Sequence, residues 1–280
     1  MKAPPFAYTR ARSLAEAFDL LETHGPGAQL LAGGQSLIAA LNLRLSAPDI
    51  LIDISRIPDL SGIRVAAGKV QIGALTTHAE IEHSADIAAH APLLAQAAPH
   101  IAHPAIRNAG TLGGSIVTAD PAAEWPACCV ALDAEFVVAA KSGGRRVKAR
   151  DFFKGVYSTD LKPNEVLTSV EFPARAQAEV SAFLELTLRR GDYAIVGIAA
   201  VANKANGAVS DVRLAYLGAG GTPVLARGAM AAAEAGRPQA DVARALTADL
   251  HPAADLYSSA ATKLHLARVL TARALTALAA

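Results

Sequence analysis

Cysteine is almost absent from the sequence. Among 280 residues only Cys128 and Cys129 are cysteines, and they are adjacent. Neighbouring cysteines rarely pair with each other, and an iron–sulfur cluster typically needs four thiolates. Both lie in an apolar stretch, so we predict two buried core thiols. Any metal–sulfur chemistry is therefore expected on another chain.

An excess of one charge and long apolar runs are also lacking. The chain has 26 basic and 25 acidic residues, a formal net charge of +1, and no dense cationic stripe of the kind that binds nucleic acid. No apolar run approaches the length of a membrane span, and residues 1–20 lack the apolar core of a signal peptide. We expect a cytoplasmic protein whose main partner is neither nucleic acid nor membrane.

The first sixty residues read as alternating helices and strands. Ser13 and Glu16 form a capping-box pattern at the start of a helix that Gly25 ends. A strand at 28–32 precedes a helix that runs from Gln35 through Leu45, and a continuous apolar strand follows at 49–54. This order predicts a small sheet with parallel pairing.

The rest of the chain reads as antiparallel strands with helices between and after them. Thr77 opens a capping box, 103–110 reads as a loop, and a polar joint at 173–179 is the predicted domain boundary. The predicted strands are 62–67, 70–75, 135–140, 145–148, 166–172, 181–188, 194–203 and 209–217, and the predicted later helices are 122–132, 223–235, 239–250 and 259–278.

Two glycine-rich turns stand out as candidate binding segments. One is Ala32-Gly-Gly-Gln-Ser36 and the other is Thr111-Leu-Gly-Gly-Ser115. Glycines allow close approach of a ligand, and successive free N–H groups form a nest that binds anions, so two such nests suit a pyrophosphate held from both sides. Each turn alone is equally typical of an ordinary strand-to-helix connection, and neither fits the common dinucleotide or phosphate-loop patterns.

Read with their flanks, these segments resemble a known family. The matching stretches are Leu30-Leu-Ala-Gly-Gly-Gln-Ser-Leu37, His103-Pro-Ala-Ile-Arg-Asn-Ala-Gly-Thr-Leu-Gly-Gly-Ser115, Asp120-Pro-Ala-Ala-Glu-Trp-Pro126, Arg190-Gly-Asp-Tyr-Ala194 and Gly218-Ala-Gly-Gly-Thr-Pro223. Together they resemble the FAD-binding medium subunit of molybdenum hydroxylases, the carbon monoxide dehydrogenase and xanthine dehydrogenase type. The resemblance runs in order along essentially the whole chain.

The resemblance implies a set of cofactor-binding residues and no catalytic or metal-binding side chain. The first glycine turn wraps the FAD pyrophosphate, the second clamps its other side, an acid accepts a ribose hydrogen bond, and an aromatic lies beside the flavin ring. The implied residues are Leu30, Leu31, Ala32, Gly33, Gly34, Gln35, Ser36, Leu37, Ile101, Ala102, Gly110, Thr111, Gly113, Gly114, Ser115, Glu124, Leu167 and Tyr193.

Three positions depart from the common pattern of the family. Gln35 stands where the family often has His, and Ser115 where it often has Asn; both keep a hydrogen-bonding side chain. Glu124 stands where Asp is common, and Asp120 is the alternative ribose partner. For Tyr193, the alternative to a place beside the flavin is a tyrosine packed in the core of a strand.

The other candidate residues favour structural roles. His24, His78, His83, His90 and His100 show no metal-ligand spacing, so we expect them at the surface or at helix ends. His103 is expected to be structural, and Trp125 to lie in the core or an interface.

The resemblance also implies the fold and the activity. It implies an α+β protein with a two-part FAD-binding fold of vanillyl-alcohol-oxidase type in residues 1–175 (subdomains about 1–57 and 58–175) and a sheet-and-helix domain in 176–280. The chain would be an FAD-dependent oxidoreductase subunit holding non-covalent FAD, and it would pass electrons from the [2Fe–2S] clusters of a small subunit to an external acceptor. A large molybdenum–pterin subunit would oxidise the substrate, in a dimer of heterotrimers. The alternatives are a stand-alone flavin oxidase or dehydrogenase and a flavin-free structural subunit.

Overall fold

The computed structural model describes residues 2–205 and 208–280 and begins with a small parallel sheet. The central strand of this sheet pairs in parallel with both neighbours, as the strand–helix–strand order predicts, and all four of its residues are buried. The elements are β1 (Ala7–Arg10), α1 (Leu14–His24), a 3₁₀ turn (Gly25–Gly27), β2 (Ala28–Leu31), α2 (Leu37–Asn42) and β3 (Ile50–Asp53), with β3 in the centre.

Local signals set the ends of the first helix. The Ser13 hydroxyl accepts a hydrogen bond from the Glu16 N–H at 3.1 Å, and Gly25 ends the helix with φ +52°. Both ends were predicted. The second helix is shorter than predicted, because it ends at Asn42 and Arg44 then takes a left-handed conformation (φ +58°).

An antiparallel sheet with a group of short helices forms the second part. Its strands lie in the order β4, β5, β10, β6, β7. The elements are β4 (Ile63–Ala66), β5 (Lys69–Gly73), α3 (His78–His83), α4 (Ala85–His90), α5 (Pro92–Ala97), a 3₁₀ turn (Ala98–His100), α6 (Pro104–Arg107), α7 (Leu112–Thr118), α8 (Glu124–Ala131), β6 (Glu135–Ala140), β7 (Gly143–Lys148), α9 (Ala149–Phe152), β8 (Phe153–Gly155), β9 (Ser158–Thr159) and β10 (Val166–Pro173).

The capping box at Thr77 is confirmed with both of its hydrogen bonds. The prediction of a loop over 103–110 is wrong in part. Pro104 occupies the first position of the short helix α6, where a missing N–H costs nothing. Trp125, Cys128 and Cys129 have no solvent exposure, which confirms the predicted core thiols and the core position of the tryptophan.

The last hundred residues form a four-stranded sheet with three helices. The meander of three strands and the three helices are as predicted, whereas the short fourth strand, Val224–Leu225, lies where the start of a helix was predicted. The longest strand of the sheet is buried on both faces. Val196, Ile198 and Ala200 point to one core with α10 and α12, while Ala199 and Val201 point to the other with α5 and α8. The elements are β11 (Glu179–Thr187), β12 (Ala194–Ala205), β13 (Ala208–Leu217), β14 (Val224–Leu225), α10 (Arg227–Glu234), α11 (Gln239–Asp249) and α12 (Ala260–Ala279).

The whole is an α+β fold, as predicted. Among the described residues, no helix combines the length and the apolar character that crossing a membrane requires.

Candidate functional site

The first glycine segment connects the end of β2 to the start of α2. Gly34 adopts φ +73°, a left-handed conformation that glycine tolerates at little cost. Within the described chain, the main-chain N–H groups of residues 33–37 donate to no protein acceptor, and the Ser36 side chain makes no capping hydrogen bond. A run of five available donors in one turn is the arrangement that binds an anion such as phosphate.

The second glycine segment is different, because its donors are already used. The N–H groups of residues 112–115 donate to the Thr76 and Ala74 carbonyls (3.0 and 2.8 Å) and to the Thr111 hydroxyl and carbonyl (both 3.1 Å). The expected second nest of free N–H groups is therefore wrong. The two glycines of the pair lie inside α7, and Gly113 packs so closely on Ala74 that a side-chain carbon would lie 2.6 Å from the alanine Cβ. This tightly packed segment, residues 111–115, forms one wall of the candidate site.

Thr111 holds the start of that wall. It is the N-cap of α7, is buried, and pairs with Thr77 in an isolated antiparallel bridge. Its hydroxyl oxygen accepts the Gly114 N–H, which leaves the hydroxyl proton free to be donated to a ligand oxygen.

The two glycine segments touch each other. A side-chain carbon at Gly33 would collide with the carbonyl oxygen of Ala109 and lie 3.1 Å from the Cα of Gly110. Only a glycine at position 33 permits this contact. The nest of the first segment is thereby held against the wall that the second segment forms.

A third backbone segment is fixed by an ion pair. The Arg107 guanidinium donates to the carbonyls of Ile101 (3.1 Å) and Ala102 (3.3 Å), and it is bound by Glu82 at 2.7 and 3.2 Å. Ile101 and Ala102 thus form a strip of fixed backbone. Gly191, with φ +84°, packs on this strip, since a side-chain carbon at position 191 would lie 2.8 Å from the Ala102 carbonyl oxygen. The loop between β11 and β12 therefore rests on residues 101–103.

Tyr193 lies in that loop and is 75% exposed. It precedes β12 rather than lying within it, so the alternative of a tyrosine packed in a strand core is wrong. Leu167 in β10, in contrast to the exposed Tyr193, is buried. Its side chain lies in the core, so any contact of Leu167 with a ligand would be made by its backbone.

Of the two acids considered as ribose partners, Glu124 has the freer carboxyl. Asp120 accepts hydrogen bonds from the Ala122 N–H (2.9 Å) and the Tyr157 hydroxyl (3.3 Å). Glu124, at the start of α8, has no side-chain hydrogen bond within the described residues. Burial raises the pKa of Glu124 to about 8, with smaller contributions from Glu185 and Asp120. At neutral pH it is a carboxylic acid that can donate as well as accept.

His78 lies at a helix end, as expected, but it is buried rather than exposed. It is buried in the first turn of α3, and its Nδ1 accepts a hydrogen bond from the Trp125 Nε1 at 2.9 Å. Burial, assisted by the charge of Arg107, lowers the pKa of His78 to about 4 and keeps the ring neutral. Gly110 packs directly on this ring, because a side-chain carbon added at position 110 would lie only 2.8 Å from Nε2 of His78. His24, His83 and His90 do lie in the last turns of helices.

Glu185 is a site residue that the sequence reasoning missed. It lies in β11 two residues after the buried Phe183, so the two-residue period of a strand places both on the same face. A charged residue on a buried face was the available signal. One carboxylate oxygen lies 3.3 Å from His100 Nδ1, and the other is buried without a partner.

No metal site accompanies these residues. In the described ranges no group of three or more His, Cys, Asp or Glu side chains could hold an ion. Burial raises the pKa of both Cys128 and Cys129, which keeps the thiols protonated and unreactive.

The donors and glycines present fit a dinucleotide. A nest of five N–H groups suits a pyrophosphate, the Ser36 and Thr111 hydroxyls and the Glu124 carboxyl suit phosphate and ribose oxygens, and the side-chain-free backbone at Gly33 and Gly34 admits close approach.

Comparisons with known proteins agree with this chemistry. Residues 4–175 match the family model described as the FAD binding domain in molybdopterin dehydrogenase, and residues 181–278 match the CO dehydrogenase flavoprotein C-terminal domain. The carbon monoxide dehydrogenase medium chain of Hydrogenophaga pseudoflava is 39% identical over 284 residues, covering 99% of this chain and 98% of that protein. The xanthine dehydrogenase FAD-binding subunit of Escherichia coli O157:H7 is 30% identical over 272 residues, covering 95% and 93%.

A solved structure matches the fold along the same length. It is carbon monoxide dehydrogenase from Hydrogenophaga pseudoflava lacking the Mo-pyranopterin moiety of its cofactor, with a TM-score of 0.96, 40% identity, and coverage of 99% of this chain and 98% of that one.

Proposed function

The chain belongs to the family of FAD-binding medium subunits of molybdenum hydroxylases, and from that premise we propose how it holds FAD and what it does in its complex. It binds one FAD non-covalently and passes electrons from the [2Fe–2S] clusters of a partner to an external acceptor. The observation that carries the proposal is the run of five main-chain N–H groups at 33–37 that have no acceptor among the described residues, beside a wall that Gly33 contacts.

Each part of the cofactor has its own set of residues. Within residues 30–37, the main-chain N–H groups of 33–37 hold the pyrophosphate, and the Ser36 hydroxyl is an additional donor. Gly110, Gly113, Gly114 and Ser115 keep the opposite wall in place. The Thr111 hydroxyl donates to a phosphate oxygen, and Glu124 hydrogen-bonds a ribose hydroxyl.

The flavin ring of FAD is held mainly by main-chain atoms. Ile101 and Ala102 offer a strip fixed by Arg107, Leu167 contributes a main-chain contact, and Tyr193 covers one face of the ring. When bound, the flavin supplies reversible uptake and release of two electrons. The protein positions the ring and shields part of it from water.

The chain depends on partner subunits. Its only two cysteines are buried thiols, and the described residues hold no metal-binding cluster, so iron–sulfur clusters that supply the flavin with electrons would lie on another chain. Carbon monoxide dehydrogenase and xanthine dehydrogenase relatives are named as medium or FAD-binding subunits of larger enzymes. We assign this chain to a cytoplasmic complex with a large molybdenum–pterin subunit and a small [2Fe–2S] subunit, assembled as a dimer of heterotrimers.

Exposed apolar side chains support such contacts. On and after α2, Ile38, Leu43 and Leu45 are 40%, 56% and 78% exposed. Adjacent exposed apolar residues of this size are typical of surfaces that another protein covers.

The domain division follows the sheets. We propose an FAD-binding domain in residues 1–175, with subdomains of about 1–57 and 58–175, and a C-terminal domain in 176–280. The supporting observation is the break between β10, which ends at Pro173, and β11, which begins at Glu179 in a separate sheet.

The test is to purify the chain co-expressed with its two partner subunits. Acid-released FAD, iron and molybdenum are measured per complex, and the mass of the complex is determined. The expected result is one FAD for each copy of this chain, with two [2Fe–2S] clusters and one molybdenum in each heterotrimer. A chain that purifies alone with FAD and oxidises small molecules directly would contradict the electron-transfer role.

A further inference from the structure

A cavity of about 370 Å³ lies beside the strip that is assigned to the flavin ring. Its wall residues are Pro99, His100, Glu185, Thr187, Arg190 and Gly191. Ile101 and Ala102 follow His100 directly, Gly191 packs on the Ala102 carbonyl, and Tyr193 is two residues further along the same loop. The cavity therefore lies next to three of the four positions proposed to contact the ring, Ile101, Ala102 and Tyr193.

Glu185 and His100 connect this cavity to solvent. The Glu185 side chain is 4% exposed, while the His100 side chain is 39% exposed and stacks on Phe183 with ring centroids 5.3 Å apart. Glu185 Oε1 lies 3.3 Å from His100 Nδ1. Its Oε2 is buried without a hydrogen-bond partner among the described residues. A buried carboxylate oxygen without a partner is costly, so a ligand atom is expected there.

The proposed electron flow creates a demand for protons. Iron–sulfur clusters deliver electrons without protons, whereas the two-electron reduction of FAD to FADH₂ takes up two electrons and two protons. Those protons must come from water and must reach a ring that the protein shields. An imidazole can accept a proton on one nitrogen and release another from the second, which is the chemistry of a proton shuttle.

We propose that His100 and Glu185 form the proton path between solvent and the flavin ring, an inference that rests on the proposed function. Water protonates His100 at Nε2 while the proton on Nδ1 passes to Glu185 Oε1. Rotation of the Glu185 carboxyl group then turns this proton toward the cavity, where it is released, and the imidazole returns to its first tautomer by proton exchange with water. The electrons come from the [2Fe–2S] clusters of the partner, and each proton passed to the ring is replaced from water. The path runs in reverse when the flavin is reoxidised by an acceptor that takes electrons alone.

Other charged groups face this pair. Glu124 and Cys128 on α8 are close enough that the charge of Glu185 contributes to raising the pKa of each, and Arg190 lines the same cavity. Because protonation of Glu124 changes the charge beside Glu185, rates need to be compared across a range of pH.

The test uses the whole complex with His100→Gln, Glu185→Gln and the control Thr187→Val, which alters the same wall without a titratable group. Three quantities are measured: bound FAD, the rate at which the clusters are reduced, and the rate at which the flavin absorbance is lost after rapid mixing with reductant, in H₂O and in D₂O. We expect normal FAD content and cluster reduction in all three. Flavin reduction should slow by roughly a hundredfold in the His100 and Glu185 variants, with a larger solvent isotope effect.

Added imidazole should restore part of the rate in His100→Gln and none in Glu185→Gln. Wild-type rates and isotope effects in both variants, with FAD bound, would overturn the proton path while leaving the proposed function intact. Loss of FAD from Glu185→Gln would also overturn it, because the carboxylate would then hold the cofactor. A wild-type complex without FAD would instead refute the proposed function itself.

Discussion

Gly33 and Ala109 lie so close together that no side chain fits between them. A methyl group at position 33 would collide with the Ala109 carbonyl oxygen and lie 2.7 Å from its carbonyl carbon. Both sides of this contact are backbone atoms, so no flexible side chain can move away to relieve a collision. This contact is what joins the two glycine segments into one binding cleft.

Gly33→Ala should therefore open the cleft. Relieving the collision requires a backbone shift in one of the two segments, and overpacking of this kind costs about 1–3 kcal/mol of unfolding free energy. We expect a lower Tm and a complex that retains iron and molybdenum but loses most of its FAD. The measurements are thermal unfolding and acid-released FAD.

Gly155→Ala is the matched control. A side-chain carbon there would meet only Ser158 Cβ, at 3.9 Å, and the backbone is not left-handed. Its Tm and FAD content should equal those of the wild type. Full FAD occupancy in Gly33→Ala would show that the contact does not shape the cofactor site.

Ser36→Ala should separate binding from stability. The Ser36 hydroxyl forms no capping hydrogen bond in the free chain, so its removal should leave the unfolding free energy of the cofactor-free protein within about 0.5 kcal/mol of the wild-type value. Loss of one hydrogen bond to phosphate should weaken FAD binding by roughly three- to thirtyfold. Fluorescence titration with FAD measures this change. Unchanged affinity would remove Ser36 from the site.

Thr111→Ala should act on the helix as well as on the ligand. Removing the N-cap hydroxyl of α7 costs about 1 kcal/mol of stability and also removes the proposed phosphate donor. Thr111→Ser keeps both functions and should behave like the wild type in thermal unfolding and FAD titration. A serine variant as impaired as the alanine variant would point to packing of the threonine methyl instead.

Glu124→Gln should flatten the pH dependence of stability. Folding raises the pKa of Glu124 to about 8, so the native state keeps a proton that the unfolded chain releases above its ordinary pKa. The contribution is complete below pH 4.5 and is lost as pH rises through 8, and it amounts to a few kcal/mol, on the order of 1.4 per pH unit. Chemical unfolding of the cofactor-free protein from pH 5 to 8.5 should show a steeper fall for wild type than for the variant. Parallel curves would mean that Glu124 is ionised in the native state.

Some of this site follows from sequence and some does not. Capping residues such as Ser13 and Thr77 act through neighbours a few residues away, and the three successive apolar residues of β3 are a local signal for a buried strand, so these patterns predict the elements they form. The N–H groups of Leu112 and Gly113 are used by the carbonyls of Thr76 and Ala74, in the turn that follows β5, and no pattern near residue 112 specifies these distant acceptors.

The buried polar side chains depend on tertiary contacts in the same way. His78 is buried because Trp125, 47 residues later, supplies its partner. Glu185 is recognisable as unusual only from the strand period, and its pairing with His100 only from the fold. The roles of the individual cofactor contacts were reached through family resemblance, since two Gly-Gly turns alone fit ordinary connections equally well.

The most direct test of FAD binding by this chain is a visible absorption spectrum of the purified complex, followed by acid release of its chromophore. The FAD-binding role of this chain predicts the bands of oxidised flavin and one FAD released per copy of the chain. It also predicts that both are lost in Gly33→Ala while the iron content is kept. A complex that contains its iron–sulfur and molybdenum partners but shows no flavin, even after incubation with FAD, would contradict it.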